Sequence, residues 1–317
     1  MVTPAPAGAL NGNRVTALRW ARVLRRLGAH VTVRQGYEPL EDRDTPDLLV
    51  AIHAFKSRAA IETYRARHPN RPVVVAIAGT DLYGDADPQR RAVVLRSLEA
   101  ADRIVVLHRT ALDDLPTALH AKTRVILQSC SPPNPPPEPR TDAFEVGVVG
   151  HLREVKDPLL CARAARSLAA SSAVTVVHAG AALDERWAQA ATAEANRNPR
   201  YQWLGELTRQ QTLCMIARVR LLVVTSKAEG GANVVSEALV CRTPVVSTRI
   251  AGSVGLLGED YPGYVPVGDA AALSRMLARV ENDAGFLAEL QRRGDALRPR
   301  FAPQREQQAW ASLIGGL

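Results

Sequence analysis

The sequence alternates between short apolar runs rich in β-branched residues and segments with the 3.6-residue period of amphipathic helices. Segment 14–27, for example, places Trp20 and Leu24 on one helical face and arginines on another. Only residues 1–3 precede the loop 4–13, so either a first strand is very short or the chain starts upstream. Apolar runs separated by helices indicate a parallel sheet with right-handed crossovers. Up to residue 128 the pattern predicts strands over 30–35, 47–52, 72–78, 103–107 and 123–128, and helices over 14–27, 56–67, 88–100 and 110–119.

A proline-rich segment interrupts this alternation once. Six of the 21 prolines lie in residues 132–139, and such a segment can neither continue a helix nor join a central strand. We interpret it as a stiff linker between two domains, 1–138 and 139–302. Beyond it the pattern predicts strands over 145–149, 174–178, 201–204, 220–225 and 244–247, helices over 158–169, 183–196, 209–217 and 233–241, and a mostly helical tail from Ala270. The sequence therefore predicts an α/β protein with two doubly wound domains in tandem.

Composition narrows the class of protein. The 317 residues are 46% apolar and 23% charged, which is ordinary for a globular protein and argues against disorder. No run approaches ~18 consecutive apolar residues, and no apolar segment with basic flanks opens the chain, so we expect neither a membrane span nor a secretory signal. The four cysteines form no C-x-x-C pair. We therefore expect reduced thiols in a cytoplasmic protein without a metal site.

The charge of the chain is basic and uneven. The net charge is +8, and residues 1–140 hold 20 basic and 14 acidic side chains, against 20 and 18 in residues 141–317. A basic surface can face nucleic acid, an anionic membrane or a phosphorylated small molecule. Because the chain has neither a dense basic run nor aromatics spaced for stacking, we do not expect nucleic acid as a partner. The absence of any G-x-G sequence argues against a dinucleotide-dependent oxidoreductase.

The loop 226–237 follows a predicted strand, and ligands of doubly wound sheets bind at the carboxyl ends of strands. Gly230 and Gly231 let backbone amides approach a ligand, and the start of the next helix adds unpaired N–H groups that suit a diphosphate. Glu229 and Glu237 could accept hydrogen bonds from hydroxyls at two ends of one ligand. A glycine-rich turn followed by a surface glutamate explains the same spacing equally well.

The loop 150–157 also follows a predicted strand. It offers Arg153 and Lys156 beside a predicted helix N-cap at Asp157. Cations at this position would neutralise a phosphate, although a solvated basic turn is the alternative for either residue alone.

These segments, in this order, resemble the GT-B glycosyltransferases of the family 4 type over nearly the whole chain. Glu229 and Glu237 match the family's Glu-x7-Glu element, whereas His151 replaces its usual arginine and Ala232 a second loop glycine. The resemblance implies two Rossmann-like domains facing a central cleft, with the acceptor in the first domain, the UDP-sugar in the second, and a helix near 303–317 completing the first. Further matches are Gly150, Leu152 and Lys156 of the phosphate loop, Gly12 of the N-terminal loop, the segments 27–31 and 243–246, and Gly252.

Four segments resemble more specifically the selenosugar synthases of selenoneine biosynthesis. These segments are 4–20, 79–83, 229–239 and 255–264. The resemblance implies that selenophosphate attacks the anomeric carbon of a UDP-sugar, typically UDP-N-acetylglucosamine, to give a 1-seleno-sugar, UDP and phosphate. It implies small-molecule substrates, no required cofactor or metal, no stable membrane association, and the other enzymes of selenoneine synthesis as functional neighbours.

The resemblance also assigns roles to individual residues. Glu237 would bind the ribose hydroxyls and Glu229 the donor sugar. The other donor-binding candidates are Gly150, Gly205, Leu207, Gly230, Gly231, Asn233 and Val234. Lys156 and Arg153 would stabilise the leaving diphosphate, and His53 and Asp81 would handle water or protons during phosphate loss; with Glu229 these are the catalytic candidates. The anionic acceptor would be held by Gly12, Asn13, Arg14, Lys56, Arg58 and Thr80.

Three other functions fit the same pattern. One is an ordinary glycosyltransferase acting on a lipid or small alcohol, with helix 14–27 lying on an anionic membrane, although Trp20 falls on the apolar stripe that normally packs in a core. Another is a UDP-sugar 2-epimerase on the same fold. The third is a sugar-nucleotide sensor that binds its ligand without turnover.

Overall fold

The structure, a computed structural model, describes residues 1–9, 11–38, 45–83, 87–138 and 143–317. By their contacts these residues form two units. One comprises Met1–Gln128, Glu229–Gly231 and Pro303–Leu317, and the other Ser129–Ala228 and Ala232–Ala302. The sequence places the domain boundary at 138/139, whereas the contacts group residues 129–138 with the second unit, in which Cys130 N donates to Phe301 O at 3.2 Å.

The first unit is built on a parallel sheet with the order β1-β2-β3-β4. Strand β2 is buried along its whole length and β3 at all but its first residue, as a sheet covered by helices on both faces requires. The strands are β1 (Leu49–Ile52), β2 (Val73–Ala76), β3 (Arg103–Val106) and β4 (Thr123–Val125), and the helices are α1 (Gly12–Arg26), α2 (Arg58–Arg67), the single turn α3 (Gly79–Leu82), α4 (Pro88–Glu99) and, near the C-terminus, α12 (Pro303–Gly315).

Two sequence predictions for this unit are wrong. The predicted strand 30–35 is reduced to one parallel bridge between Arg34 and Val2, which also bridges Ala51 of β1. Backbone hydrogen bonds join Arg34 N to Met1 O and Thr3 N to Arg34 O, both at 3.0 Å, around this bridge. The predicted helix 110–119 is replaced by two 3-10 turns, Arg109–Leu112 and Thr117–Lys122. Pro116 lies between them, and a proline lacks the N–H that a helix interior needs.

Helix α1 packs against α12 through two buried tryptophans. The rings of Trp20 and Trp310 meet edge to face with their centroids 4.9 Å apart, and both side chains are fully buried. Trp20 Nε1 donates to Glu306 Oε1 at 2.7 Å, and Arg19 Nε donates to the same oxygen at 3.1 Å. The apolar stripe of α1 is therefore a core face, as its period indicates, and Trp20 is not available to a membrane surface. Among the described residues, no helix combines the length and the apolar character needed to cross a bilayer.

The second unit contains a six-stranded parallel sheet with the order β10-β9-β8-β5-β6-β7. The strands are β5 (Phe144–Val149), β6 (Val174–Ala179), β7 (Tyr201–Trp203), β8 (Leu221–Val224), β9 (Val245–Thr248) and β10 (Tyr264–Val265). The helices are α5 (Leu160–Arg166), α6 (Glu185–Arg197), α7 (Arg209–Arg218), α8 (Asn233–Cys241), α9 (Ala251–Leu257), α10 (Ala270–Asn282) and α11 (Ala284–Leu297). Two parallel sheets, each alternating with helices, confirm the predicted fold class.

Asp157 is not the N-cap that the sequence predicts. It ends the 3-10 turn Glu154–Lys156 in a left-handed conformation with φ 39°, and α5 begins three residues later. Its carboxylate accepts a hydrogen bond from Arg163 Nη2 at 3.1 Å, which ties the loop to the side of α5. The carboxylate therefore has a partner one turn into the helix and does not cap the helix start.

Candidate functional site

Three glycines follow the three neighbouring strands β5, β6 and β7, and their loops lie in direct contact. A Cβ atom on Gly180 would lie 2.0 Å from the carbonyl oxygen of Gly150, a distance that no side chain tolerates. Gly180 N donates to Gly205 O at 2.7 Å, and Trp203 Nε1 donates to Gly180 O at 2.8 Å. The sequence singled out Gly150 and Gly205 but missed Gly180 between them, although its position directly after a predicted strand was a usable signal.

His178, inside β6, holds the Gly150 loop in place. Its buried imidazole lies 3.0 Å from the Gly150 carbonyl oxygen through Nε2 and 3.1 Å from the Tyr201 hydroxyl through Nδ1. Because a carbonyl only accepts, Nε2 carries the hydrogen and Nδ1 accepts from the tyrosine. Burial lowers the pKa of His178 to about 4, so the ring is neutral at neutral pH. His178 therefore acts as a fixed donor to the loop.

A small pocket lies at the carboxyl ends of β5 and β8. The Lys156 side chain runs along Gly150, with Cδ 3.6 Å from where a Cβ on that glycine would be. Thr225 Oγ1 donates to Lys156 O at 2.8 Å and joins the loops that follow the two strands. Lys156 therefore brings a cation to a pocket lined by Gly150, His178, Thr225, Ser226 and Val234, among others.

Arg153, the other basic candidate in the loop 150–157, does not line this pocket. Arg153 is exposed and begins the turn Glu154–Lys156. His151, which replaces the usual arginine, accepts a hydrogen bond from Ala181 N through Nδ1 at 3.2 Å, and burial lowers its pKa. In this chain His151 therefore fastens the loop, and Lys156 is the cation at the pocket.

The start of α8 presents backbone donors without a side-chain cap. Its N-cap residue is Ala232, and the first turn holds no acidic residue, which leaves the positive end of the helix dipole uncompensated there. Asn233 and Val234 begin this helix. The three residues before this helix, Glu229–Gly231, belong to the first unit by their contacts. Gly230 lies so close to Gly79 that a Cβ atom on Gly79 would be 2.3 Å from Gly230 N.

Glu237 lies one turn inside α8 and is paired with an arginine that the sequence did not single out. Arg209 Nη1 lies 2.7 Å from Glu237 Oε1, and the glutamate side chain is only 8% exposed. Arg209 Nη2 also contacts Cys130 Sγ at 3.7 Å. Burial alone would lower the pKa of Arg209, but the Glu237 carboxylate and Cys130 raise it. Glu237 is thus held by a permanent cation at the start of α7, just after the predicted donor residues Gly205 and Leu207.

In the first unit, the structure brings His53, Thr80 and Asp81 together. His53 Nδ1 lies 2.7 Å from Asp81 Oδ1, and His53 Nε2 lies 3.0 Å from Thr80 Oγ1. The Asp81 carboxylate also accepts from the backbone N–H groups of Ala54, Phe55 and Ala78 at 2.9 to 3.0 Å. The carboxylate therefore joins the loops after β1 and β2 and also orients His53. The backbone of His53 is in the left-handed region, with φ 75°.

The remaining acceptor candidates are spread over two helix starts. Gly12, Asn13 and Arg14 form the first turn of α1, where Asn11 Oδ1 accepts from Arg14 N at 3.1 Å. Lys56 and Arg58 are exposed near the start of α2, and Arg58 lies 3.8 Å from Glu62. Among the described residues there is no cluster of three or more histidine, cysteine or carboxylate side chains arranged to hold a metal ion.

Comparison with known proteins identifies the family. Residues 134–296, just over half of the chain, match the family described as glycosyl transferases group 1. Similar solved structures include Anabaena HepE in complex with UDP-glucose, with a TM-score of 0.78 and 16% identity over 99% of this chain and 98% of that one. Another is sucrose-phosphate synthase from Thermosynechococcus elongatus, with a TM-score of 0.71 and 18% identity over 99% and 82% of the two chains. A third is the pneumococcal O-GlcNAc transferase GtfA in complex with UDP and GlcNAc, with a TM-score of 0.67 and 12% identity over 85% and 56%.

At these identities the structural likeness concerns the fold, and it agrees with the predicted GT-B architecture of two Rossmann-like domains. The match to the family covers most of the second unit, where the Gly150 loop, the Lys156 pocket and α8 lie. The chain therefore belongs to the glycosyl transferases group 1 family and is a glycosyltransferase.

Proposed function

We propose that this glycosyltransferase transfers the sugar of a UDP-sugar, UDP-N-acetylglucosamine in the first instance, to selenophosphate. The observation that carries the donor part is the pocket in which Lys156 lies against Gly150 at the ends of β5 and β8. Two similar structures, those of HepE and GtfA, contain UDP or a UDP-sugar, which supports the same class of donor here. The four segments that resemble selenosugar synthases support the acceptor.

The chemistry of the donor half follows from charge. The leaving group is a diphosphate, so departure of UDP is favoured by cations and backbone donors fixed where negative charge develops. Lys156 would supply the cation, and the uncapped start of α8 would supply N–H groups. Glu237, held by Arg209, would accept hydrogen bonds from the ribose hydroxyls. Glu229 would do the same for the donor sugar.

The transfer balances without any oxidant or reductant. A selenium lone pair of selenophosphate attacks the anomeric carbon, the C–Se bond forms, and the bond from that carbon to the diphosphate oxygen breaks with its electron pair leaving on UDP. Water then attacks phosphorus, the P–Se bond breaks, and the products are phosphate and the 1-seleno-sugar. Because selenophosphate is already an anionic, polarisable nucleophile, the first step needs cations to hold it more than it needs a general base.

The proton chemistry of the second step falls to His53 and Asp81 in this proposal. Their contact, 2.7 Å between Nδ1 and Oδ1, leaves Nε2 facing the Thr80 hydroxyl at 3.0 Å. Such a relay could accept or return a proton when water attacks phosphorus. The same relay would suit the deprotonation of an alcohol, which keeps a small-alcohol glycosyltransferase as the second candidate.

The test is UDP release from UDP-N-acetylglucosamine with selenophosphate, thiophosphate, phosphate or glycerol as the only added acceptor. Mass spectrometry of the product identifies what was transferred. We expect UDP release with selenophosphate and a selenium-bearing sugar in equal amount. Release with glycerol alone would establish the second candidate, and interconversion of the donor without any acceptor would establish an epimerase. UDP binding without release under any condition would leave a sensor.

A further inference from the structure

Five buried side-chain donors in the first unit have no hydrogen-bond partner within the described ranges. Two of them, Ser97 Oγ and Trp310 Nε1, belong to fully packed positions of α4 and α12, and the other three are Arg14 Nε, Arg90 Nε and His108 Nε2. All three lie toward the same edge of the sheet. Arg14 follows the loop that leaves Val2, which pairs in parallel with β1, and His108 follows β3 with only Leu107 between. Arg90 lies on α4 and reaches the segments that follow β1 and β2. The carboxyl edge of a parallel sheet is where ligands of doubly wound domains bind.

His108 is the most constrained of the three. Its side chain is fully buried, and its Nδ1 accepts from Ala111 N at 3.2 Å and lies 2.9 Å from the Thr110 hydroxyl. Because a backbone N–H can only donate, Nδ1 carries no hydrogen and Nε2 carries it. Burial lowers the pKa of His108 to about 4, so this tautomer persists at neutral pH. The Nε2–H is therefore a fixed donor, and a buried donor is normally hydrogen-bonded to an acceptor.

Arg90 and His108 lie on either side of the single turn α3. The Arg90 guanidinium covers the Phe55 ring at 4.5 Å and donates through Nη2 to Thr80 O at 3.1 Å. The His108 imidazole lies nearly parallel to the Tyr83 ring at the other end of the turn, with centroids 6.3 Å apart. Thr80 and Tyr83 are separated by one helical turn, so the two unpaired donors flank the same short segment.

Two carboxylates that the structure describes beside α3 are already engaged. Asp81, within α3, is occupied by His53 and three backbone N–H groups, and Asp114 accepts from the Tyr83 hydroxyl at 2.8 Å. The Nε–H donors of two guanidinium groups and a neutral imidazole N–H therefore suit a ligand that brings only acceptors and negative charge. A tetrahedral oxyanion of phosphorus is such a ligand, and arginine is the side chain that suits it best.

We propose that Arg90 and His108, together with Arg14, form a binding site for a tetrahedral phosphorus oxyanion at the carboxyl edge of the first sheet. The inference rests on the proposed function, in which that anion is the acceptor selenophosphate or the phosphate formed from it. Arg14 and Arg90 supply the charge, and the His108 Nε2–H supplies a directional hydrogen bond. Arg90 and His108 extend the acceptor candidates that the sequence indicated.

The test is calorimetric titration of the full-length protein with thiophosphate, and separately with inorganic phosphate, in the presence of saturating UDP. Arg90→Met removes the charge and keeps the apolar stem. His108→Asn keeps a side-chain acceptor for Ala111 N but lacks the Nε2 donor. We expect each variant to weaken thiophosphate binding by about tenfold or more, with UDP affinity unchanged as the sign that the protein remains folded. Arg91→Met, which removes the exposed neighbouring guanidinium, is the matched control and should bind like the wild type.

Comparing thiophosphate with inorganic phosphate shows whether the site binds the acceptor or the phosphate product. Tighter binding of thiophosphate than of phosphate assigns the site to the acceptor, and equal binding assigns it to the phosphate product. The site is refuted if the wild type binds neither anion, or if Arg90→Met and His108→Asn bind both as tightly as Arg91→Met does. Transfer assays keep this result apart from the proposed function. Release of UDP with selenophosphate at an unchanged KM in both variants refutes the site alone, whereas anion binding without any transfer to selenophosphate refutes the proposed function alone.

Discussion

His178 donates a hydrogen bond through Nε2 to the carbonyl oxygen of Gly150, with 3.0 Å between the two atoms. A buried imidazole inside β6 thereby fixes the loop that follows β5, and the same loop carries Lys156 to its pocket. Burial lowers the pKa of His178 to about 4 and so keeps the imidazole neutral, with its other nitrogen against the Tyr201 hydroxyl. The position of the candidate phosphate loop therefore depends on a residue that has no place in the recognised motifs.

The free energy of unfolding should fall as the pH drops from about 6.5 to about 4. In this window His178 is protonated in the unfolded chain but stays neutral in the folded one. The pKa of His178 is lowered by burial, so its contribution is fully present above that window and is lost within it. The largest loss for this one group is on the order of 3 kcal/mol. Urea unfolding at intervals of pH measures it. His178→Asn should reduce the slope and leave the part due to His108, whose pKa burial also lowers to about 4, whereas His30→Gln, at an exposed histidine, should leave the slope unchanged.

Gly180→Ala should destabilise the second unit, because the new methyl group would lie 2.0 Å from the Gly150 carbonyl oxygen and the two loops would have to separate. Overpacking against backbone costs about 1–3 kcal/mol or more. Thermal unfolding and UDP binding measured on the same samples would show a lower melting temperature and weaker binding. Gly36→Ala is the control, since a Cβ there meets nothing within 4 Å. Equal behaviour of the two variants would show that the loops tolerate separation.

Lys156→Ala should lower kcat/KM for the UDP-sugar by about 100-fold, the loss typical of removing one donor from a developing oxyanion. The physical reason is the loss of the cation at the Gly150 pocket. Lys227→Ala is a matched control, because this exposed lysine pairs with exposed Glu154, and surface pairs contribute little, so we expect a change of about twofold or less. Steady-state UDP release measures both. A Lys156→Ala enzyme with unchanged kcat/KM would remove this residue from the mechanism.

Arg209→Met should raise the KM for the UDP-sugar more than it lowers kcat, because Glu237 would lose the cation that orients it 2.7 Å away. Arg209→Lys keeps the charge without the planar fork and should recover part of the loss. Arg249→Met breaks a pair with Glu259 in which both side chains are more than half exposed, and it should leave the kinetics unchanged. If Arg209→Met and Glu237→Gln have fully additive effects on the KM, the pair does not act as a unit.

Asp81→Ala should cost about 3–5 kcal/mol of the free energy of unfolding, because three backbone N–H groups and His53 lose one buried acceptor together. Asp81→Asn retains one acceptor oxygen and should cost less. Denaturant titration gives both values, with Asp47→Ala at a fully exposed carboxylate as the control. If Asp81→Ala unfolds like the wild type but loses activity, Asp81 acts in the chemistry and not in joining the loops.

The sequence determined the alternation of strands and helices because apolar periodicity is a local property. It therefore predicted the two parallel sheets, most element positions and the loops at Gly150 and Gly230. It failed where pairing depends on a distant partner: segment 30–35 has a strand-like composition, yet its pairing with residues 1–3 amounts to a single bridge between Arg34 and Val2. It also failed at Pro116, whose missing N–H divides a predicted helix into two turns.

Only the tertiary structure decided which side chains act together. Arg209 lies 28 positions before Glu237 and His178 lies 28 after Gly150, and no local pattern joins either pair. The same holds for Asp81, whose carboxylate binds backbone groups 26 and 27 residues earlier in the chain. Crossover connections bring the ends of parallel strands to one edge of a sheet, so residues far apart in sequence meet there. The spacing of motifs indicated which loops form the site. Which residues contact the side chains of those loops depends on the tertiary structure.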